Sequence, residues 1–131
     1  MNKQSSSVIL LKDNYILILK RNKEPYKGCW GLQGGKVEEN ETPQDAAIRE
    51  VFEETNISCS KLKLLKEFLN PETGYYNYIF STTHFEGVAE NKEPEKHEAV
   101  QWFPVNKIPE KQGWSLRKSV ELSLFSANPK I

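Results

Sequence analysis

Two apolar runs rich in β-branched residues lie near the start of the chain, at residues 8–11 and 15–21, and the polar residues 12–14 separate them. Such runs on either side of a short turn-forming segment predict a β-hairpin. Neither run alternates with polar residues, so both faces of these strands are expected to be covered. A further short strand is predicted over residues 29–32 and ends in Gly34 and Gly35.

The pattern becomes helical after Thr42. Thr42 is a favoured N-cap residue, Pro43 suits the first helical position, and Asp45 follows three residues after the cap. Good helix formers continue to Glu54, and Asn56 tolerates the left-handed conformation that often follows a helix. The sequence therefore predicts a helix that begins at Pro43 and ends before Asn56.

Strands and one more helix are predicted in the second half of the chain. The strands are expected over residues 62–69 and 75–84, with a turn at 70–74 between them, and over residues 100–103. The charged segment 90–96 is expected to be a loop. Ser115 is a candidate cap for a last amphipathic helix. Its apolar side chains would be Leu116, Val120, Leu122, Leu124 and Phe125. Strands mixed with two helices indicate an α/β or α+β fold with helices on both faces of one sheet.

Composition narrows the class of protein. The chain has 131 residues, which suits one domain over residues 1–131. Lys plus Arg and Asp plus Glu number 18 each, so a dominant basic footprint for nucleic acid is absent and any phosphate site must be local. Cys29 and Cys59 are expected to be free thiols. The run at 8–11 is too short to span a membrane, so we expect a cytoplasmic monomer or homodimer.

Three glutamates of the predicted helix, Glu50, Glu53 and Glu54, occur at positions i, i+3 and i+4 and point to one side, where Ala46 and Ala47 also lie. The opposite, core-facing side would carry Ile48, Val51, Phe52 and Thr55. Spacing alone leaves two interpretations, a solvated acidic face or a site for a hard divalent cation, which prefers carboxylate oxygens. Two glycines, Gly34 and Gly35, precede the helix in the chain. Because glycine has no side chain, their backbone atoms could approach a metal or phosphate closely.

Arg49 is the only basic residue in this helix. It could pair with Glu41 and tie the preceding loop to the helix, or with Asp45 one turn earlier.

These residues resemble the signature of the Nudix hydrolases. That signature reads Gly, five residues, Glu, seven residues, then Arg-Glu-apolar-any-Glu-Glu-any-Gly-apolar. Gly35 and Glu41 occupy its first two positions, and residues 49–57 read Arg-Glu-Val-Phe-Glu-Glu-Thr-Asn-Ile. Asn56 departs from the family's Gly, and Asn is the next best residue for a positive φ. The lead-in at residues 30–38 is also similar, with Gln33 in place of proline, and similarity to the MutT-type enzymes extends over residues 8–109.

The resemblance implies an α/β/α sandwich around a mixed β-sheet and hydrolysis of a nucleoside diphosphate linked to another moiety. By position, the ligands of one to three Mg²⁺ or Mn²⁺ ions would be Gly35, Glu50, Glu53 and Glu54. Glu50 or Glu53 would deprotonate the attacking water. Arg49 would hold a glutamate in place, and Glu41 would support either Arg49 or the metal ions.

Further candidates lie outside the signature. Glu98, with Glu95 as its competitor, could reach the site from the acidic segment 93–98, or both are ordinary solvated charges. His97 is a candidate near the leaving group or a packing residue. Candidates for substrate contact are Lys36, Gly34, Tyr76 and Tyr78. The two tyrosines would stack on a base if they do not serve packing alone.

The substrate expected from the resemblance is a small nucleotide, a (d)NTP cleaved to the nucleoside monophosphate and pyrophosphate. Tyr75 resembles a marker of diadenosine polyphosphate hydrolases, and Pro71 lies near the spacing of an ADP-ribose marker. Hydrolysis of these substrates or of a nucleotide sugar is the alternative. A non-catalytic module that binds nucleotide or protein is the alternative of another class, and the neutral charge counts against an RNA substrate.

Overall fold

The first two apolar runs form the predicted hairpin in the computed structural model, which describes residues 3–125. Strand β1 (Gln4–Lys12) and strand β2 (Tyr15–Arg21) are joined by Asp13 and Asn14, whose φ angles are 54° and 66°. Two positive φ angles in succession are the signature of a type I′ hairpin turn. Beyond Leu11 and Ile16 the two strands no longer pair with each other, so the hairpin opens into a gap.

Two short strands fill this gap. Strand β3 (Trp30–Gly31) pairs with β2, and strand β4 (Gln33–Lys36) pairs with β1. The remaining elements are helix α1 (Pro43–Thr55), strands β5 (Ser58–Ser60), β6 (Lys63–Leu69), β7 (Tyr76–Thr82), β8 (His84–Glu86) and β9 (His97–Pro104), and helix α2 (Trp114–Glu121). Strand β7 runs parallel to β1 and antiparallel to β6, and β9 pairs antiparallel with β2. The main sheet is therefore mixed, and β5 with β8 forms a separate pair.

The sheet is covered on both faces, as the unbroken apolar runs predict. On one face Ala47 and Val51 of α1 pack with Val8 and Leu17. On the other, Leu116 of α2 packs with Ile9 and its neighbours. The predicted α/β/α sandwich around a mixed sheet is confirmed. No helix among residues 3–125 is long and apolar enough to cross a membrane.

Helix α1 begins and ends where its caps predict. The backbone N–H of Asp45 donates to Thr42 Oγ1 at 3.0 Å, and Asn56 follows the helix in the left-handed conformation with φ 69°. The helical wheel was right about Val51 and Thr55, which are fully buried, and wrong about Phe52, Glu54 and the two alanines. Phe52 is 43% exposed, whereas Glu54 is only 6% exposed and Ala46 and Ala47 are fully buried. The core-facing stripe is rotated toward the alanines because α1 lies with that side against β1 and β4.

Three other boundaries differ from the predictions. The strand predicted to run from residue 29 and to end in Gly34 and Gly35 is divided into β3 and β4, and both glycines lie inside β4, whose backbone pairs with β1. Helix α2 has Gly113 as its N-cap and ends at Glu121, so Ser115 is inside the helix and Leu124 and Phe125 lie beyond it. Strand β9 is longer than predicted because it pairs with β2 along its length, and β5 and β8 are too short to show a period in sequence.

Candidate active site

Arg49 of α1 is the centre of an ion-pair network. Its Nε lies 2.6 Å from Glu41 Oε2 and its Nη2 lies 3.0 Å from Glu41 Oε1, a two-pronged contact that ties the loop before α1 to the helix. The pairing is therefore with Glu41 and not with Asp45. The hydrogen bonds from Arg49 lower the pKa of Glu41, and the same contact raises the pKa of Arg49.

The remaining guanidinium donors of Arg49 reach the acidic face. Its Nη1 lies 3.1 Å from Glu50 Oε2 and 3.2 Å from Glu53 Oε1, and its Nη2 donates to the Lys36 carbonyl at 3.1 Å. The side chain of Arg49 is 25% exposed, so these contacts are partly shielded from water. One arginine thus orients two of the three glutamates and the end of β4.

Glu54 and Glu50 lie deeper than Glu53. Glu54 is 6% exposed, and its Oε1 accepts the backbone N–H of Gly34 at 3.0 Å. Burial is the main reason that the pKa of Glu54 is raised well above 4.5, and the adjacent charge of Glu50 adds to it. Burial also raises the pKa of Glu50, although Arg49 opposes that shift. Burial makes the charged forms of these two neighbouring carboxylates unfavourable, and a bound cation would offset that cost.

Gly35 is the residue that lets Glu50 approach the strand. A Cβ placed on Gly35 would lie 2.8 Å from Glu50 Oε1 and still closer to its Cδ and Oε2, which is nearer than real Cβ atoms come. The carboxylate therefore occupies the space that any side chain at position 35 would take. Gly34 is needed for a different reason, since its φ is 155° and a Cβ would overlap the backbone of Ser6 and Ser7.

The donor set suits a hard divalent cation in its chemistry. Carboxylate oxygens of Glu50 and Glu54 lie beside the backbone of β4, and oxygen ligands are what Mg²⁺ and Mn²⁺ prefer. Within residues 3–125 no group of three or more His, Cys, Asp or Glu side chains is arranged to hold a metal ion. Glu53, the third predicted carboxylate ligand, is half-exposed and, like Glu50, is paired with Arg49.

Glu98, a predicted contributor, makes an ion pair outside this carboxylate pair. It is in β9 and not in a loop, and it pairs with Lys20 of β2 at 3.3 Å. Glu93, which sequence reasoning passed over, lies close enough to raise the pKa of Glu54. The loop that carries it is fastened to α1, because the backbone N–H of Lys92 donates to the Glu54 carbonyl at 3.1 Å.

Of the residues predicted to contact the substrate, some lie beside the carboxylate pair and others do not. Gly34 adjoins Glu54, and Lys36 is exposed with its Nζ 5.9 Å from the centre of the Tyr75 ring. Tyr78 packs against the core beneath α1, and the exposed Tyr76 contacts it edge to face. Neither Tyr76 nor Tyr78 lines the cavity described next.

A cavity of about 260 Å³ opens where β1 and β2 diverge, on the α2 side of the sheet. Gly34, Gly35 and Glu54 lie at one end of it, so it adjoins the carboxylate pair. Its polar side chains include Ser5 and Ser7 of β1, Asn70, Asn77 and His97. Its aromatic side chains are Tyr26, Trp30 and Trp114. The sequence marks these cavity-lining positions only weakly, by polar residues in or beside strands that are otherwise apolar.

His97 is buried in the wall of this cavity. It is 7% exposed, and its Nδ1 has no hydrogen-bond partner within residues 3–125. Burial and the nearby charge of Arg21 lower the pKa of His97, which keeps the ring neutral near pH 7. A neutral imidazole without a partner for Nδ1 is a candidate hydrogen-bonding group for a ligand.

Comparison with known proteins agrees with this geometry. Residues 1–122 match the family model described as NUDIX domain. The chain is 34% identical over 103 residues to an ADP-ribose pyrophosphatase of Methanocaldococcus jannaschii, covering 77% of this chain and 61% of that protein. It is 31% identical over 111 residues to the oxidized purine nucleoside triphosphate hydrolase of Mus musculus, covering 82% of this chain and 69% of that one. The crystal structure of a MutT NUDIX hydrolase from Burkholderia pseudomallei superposes with a TM-score of 0.84 at 30% identity, covering 92% of this chain and 97% of that chain.

Proposed function

The chain belongs to the NUDIX domain family, and we propose that it hydrolyses a phosphoanhydride bond in a small nucleotide, with a (d)NTP converted to the nucleoside monophosphate and pyrophosphate. The observation that carries this proposal is the buried pair of Glu50 and Glu54 at the end of a cavity. Pockets for small ligands usually enclose about 300–1,000 Å³. A cavity of about 260 Å³ suits a base, with the phosphates outside it beside the two carboxylates.

Glu50 and Glu54 would hold the Mg²⁺ ion, with Mn²⁺ as a substitute, and Glu53 and the Gly35 carbonyl are the other proposed ligands. When bound, such an ion neutralises phosphate charge and lowers the pKa of water. The carboxylates favour this because a divalent cation offsets both their burial and their mutual repulsion.

The free thiols of Cys29 and Cys59 support a reducing, cytoplasmic setting.

A glutamate of the acidic face is the proposed proton acceptor. Glu50 and Glu53 are both within hydrogen-bond distance of Arg49 Nη1, which fixes the direction of their carboxylates. The charge of Glu50 raises the pKa of Glu54, and the hydrogen bond with Glu54 lowers the pKa of Glu50, so the two titrate together and the base is best described as a property of the pair. Arg49 acts as a positioning residue, with Glu41 holding its guanidinium from behind.

The test is a substrate panel of dNTPs, NTPs, ADP-ribose, diadenosine polyphosphates, nucleotide sugars and 5′-triphosphate RNA, each with Mg²⁺ and with Mn²⁺. Glu50→Gln and Glu54→Gln should each lower kcat for the preferred substrate by at least about 10²-fold. Glu39→Gln is the matched control. It makes the same Glu-to-Gln change at an exposed residue outside the carboxylate pair, so kcat should stay at the wild-type value.

The outcomes separate the candidate functions. Hydrolysis of a (d)NTP that both variants lose supports the proposal. Preference for ADP-ribose, the substrate named for the archaeal relative, would replace the (d)NTP by that substrate and leave the site intact. Absence of turnover with every substrate and both metals would refute the enzyme and indicate a binding module.

A further inference from the structure

Asn70 lies in the wall of the cavity with one functional group unused. It is 6% exposed, and it begins the turn between β6 and β7. Its backbone N–H donates to the Tyr75 carbonyl at 2.8 Å, and its own carbonyl accepts the N–H of Gly74 at 2.8 Å. Its side-chain Oδ1 accepts the backbone N–H of Glu72, also at 2.8 Å. The backbone and Oδ1 of Asn70 are thus engaged, and only the side-chain Nδ2 is left.

The orientation of this amide follows from its partner. A backbone N–H can only donate, so the atom of Asn70 that faces Glu72 must be the oxygen. The NH₂ group then lies at the opposite edge of the planar amide. Within residues 3–125 it makes no hydrogen bond to a protein acceptor, and Asn70 lines the cavity. The cavity wall therefore presents a fixed donor and no acceptor at this position.

The neighbouring amide, Asn77, shows the contrasting case. Its Oδ1 accepts from Ser5 Oγ at 2.6 Å, and its Nδ2 donates to the Tyr75 carbonyl at 3.0 Å. Both ends of that amide are engaged within the protein, so Asn77 supports the wall. Asn70 is the amide of the pair whose NH₂ group has no protein partner within residues 3–125, so it is the one that can donate to a ligand in the cavity.

The rest of the cavity suits an aromatic ligand. Trp30 and Trp114 line it, and each indole is held edge to face by a phenylalanine, Phe103 for Trp30 and Phe68 for Trp114. Rigid aromatic side chains stack on nucleobases of any identity. They would bind the base without discriminating between bases, so discrimination must come from the polar groups of the wall.

We propose that Asn70 determines base specificity by donating a hydrogen bond from Nδ2 to a carbonyl oxygen of the base. This inference rests on the proposed function, and it names the substrate class as nucleotides whose base carries an oxo group where adenine and cytosine carry an amino group. An amino group facing Nδ2 would bring two donors together and leave both unpaired. A site built to hydrogen-bond one group rejects the analogue that lacks it more strongly than an apolar pocket can.

ITP and ATP are the matched substrates for the test, because hypoxanthine and adenine differ at the oxo or amino group of position 6 and share the triphosphate. For the wild-type protein kcat/KM should favour ITP by about tenfold or more. Asn70→Asp keeps the oxygen that accepts from Glu72, and Asp is equally suited to this turn, but it replaces the donor by an acceptor. The ITP:ATP ratio should fall by more than the whole wild-type preference, to below one, so that the variant favours ATP.

Asn106→Asp is the control. It adds the same negative charge at an exposed residue outside the cavity, so the ITP:ATP ratio should be unchanged. Asn70→Ser is the second variant, since serine can accept from the turn but lacks the NH₂ group, and its ratio should approach one. Folding of each variant is checked by its thermal midpoint, and affinities for IMP and AMP are measured by calorimetry in parallel.

The two proposals fail in different ways. Equal ratios in the wild type and in Asn70→Asp, with hydrolysis intact, would overturn the role of Asn70 and leave the hydrolase standing. Absence of hydrolysis together with tighter binding of IMP than AMP, reversed in Asn70→Asp, would refute the hydrolase and keep the base site. Equal binding of IMP and AMP by the wild-type protein would overturn the base site whatever the activity.

Discussion

Substitution of three neighbouring glycines by alanine should separate stability from activity. Alanine adds the same methyl group at each of three positions within five residues, but the surroundings of that methyl group differ. The positions are Gly31, Gly34 and Gly35. At Gly31 nothing lies within 4 Å of the added Cβ. At Gly34 the Cβ would overlap the backbone of Ser6, and the φ of 155° is strained for alanine. At Gly35 the three nearest atoms all belong to the carboxylate of Glu50.

The expected magnitudes follow from what must move. Backbone strain and overlap each cost about 1–3 kcal/mol, so Gly34→Ala should lower the free energy of unfolding by about 3 kcal/mol or more. At Gly35 the obstacle is the end of a flexible side chain, so the stability should change by less than about 1 kcal/mol. Glu50 must retreat by roughly 1 Å to reach ordinary contact, and a misplacement of that size costs about 10²-fold in rate.

The assay is urea unfolding of the three variants together with kcat for the substrate identified by the panel. Gly31→Ala should resemble the wild-type protein in both measurements. Gly35→Ala should fold normally with kcat lowered about 10²-fold. Wild-type kcat in a folded Gly35→Ala protein would refute the reasoning, because it would mean that the position of Glu50 against β4 does not matter for the reaction.

Three further predictions concern single side chains. The raised pKa of Glu54 means that the folded protein binds this proton more tightly than the unfolded chain, so stability of the metal-free protein should fall as pH rises from 4.5 through the folded pKa. In Glu54→Gln that component of the slope of Tm against pH should be absent. In the wild type, Mg²⁺ at one hundred times Kd should raise the free energy of unfolding by about 2.7 kcal/mol and raise Tm accordingly. Glu93→Gln should lower kcat more than Glu98→Gln, because Glu93 acts on Glu54 whereas Glu98 is paired elsewhere; equal effects would contradict this. Thr42→Ala should lower the free energy of unfolding by about 1 kcal/mol in urea titration, since Asp45 N–H loses its cap, with kcat unchanged.

Local chemistry made much of the fold predictable from sequence. Asp13 and Asn14 tolerate the positive φ angles of the hairpin turn, and Thr42 and Asn56 mark the ends of α1. These signals act over a few residues, where turn and cap preferences dominate. The Arg49 pairing was left open because both candidate acids are within reach in sequence, and the structure resolves it through the two-pronged geometry of Glu41.

The burial of α1 could not be derived from the helix alone. A wheel assigns one average direction to the apolar side chains, and Phe52 pulls that direction away from the alanines. The structure places Phe52 at 43% exposure, with Lys92 Nζ 4.7 Å from the centre of its ring, and buries Glu54 instead. A charged residue is buried here because the N–H of Gly34 offers it a hydrogen bond, and that partner belongs to another element.

The divergence of β1 from β2 explains why the motif identifies the chemistry but not the ligand. Strand β4 enters the gap beside β1, and its backbone gives Glu54 a donor on one side and borders the cavity on the other. The contact between β4 and α1 is local in sequence, so a spaced motif captures it. Asn70, Trp30 and Trp114 reach the cavity from a turn, a strand and a helix far apart in the chain, and no spacing connects them. The groups proposed to select the base are therefore visible only once the sheet is assembled.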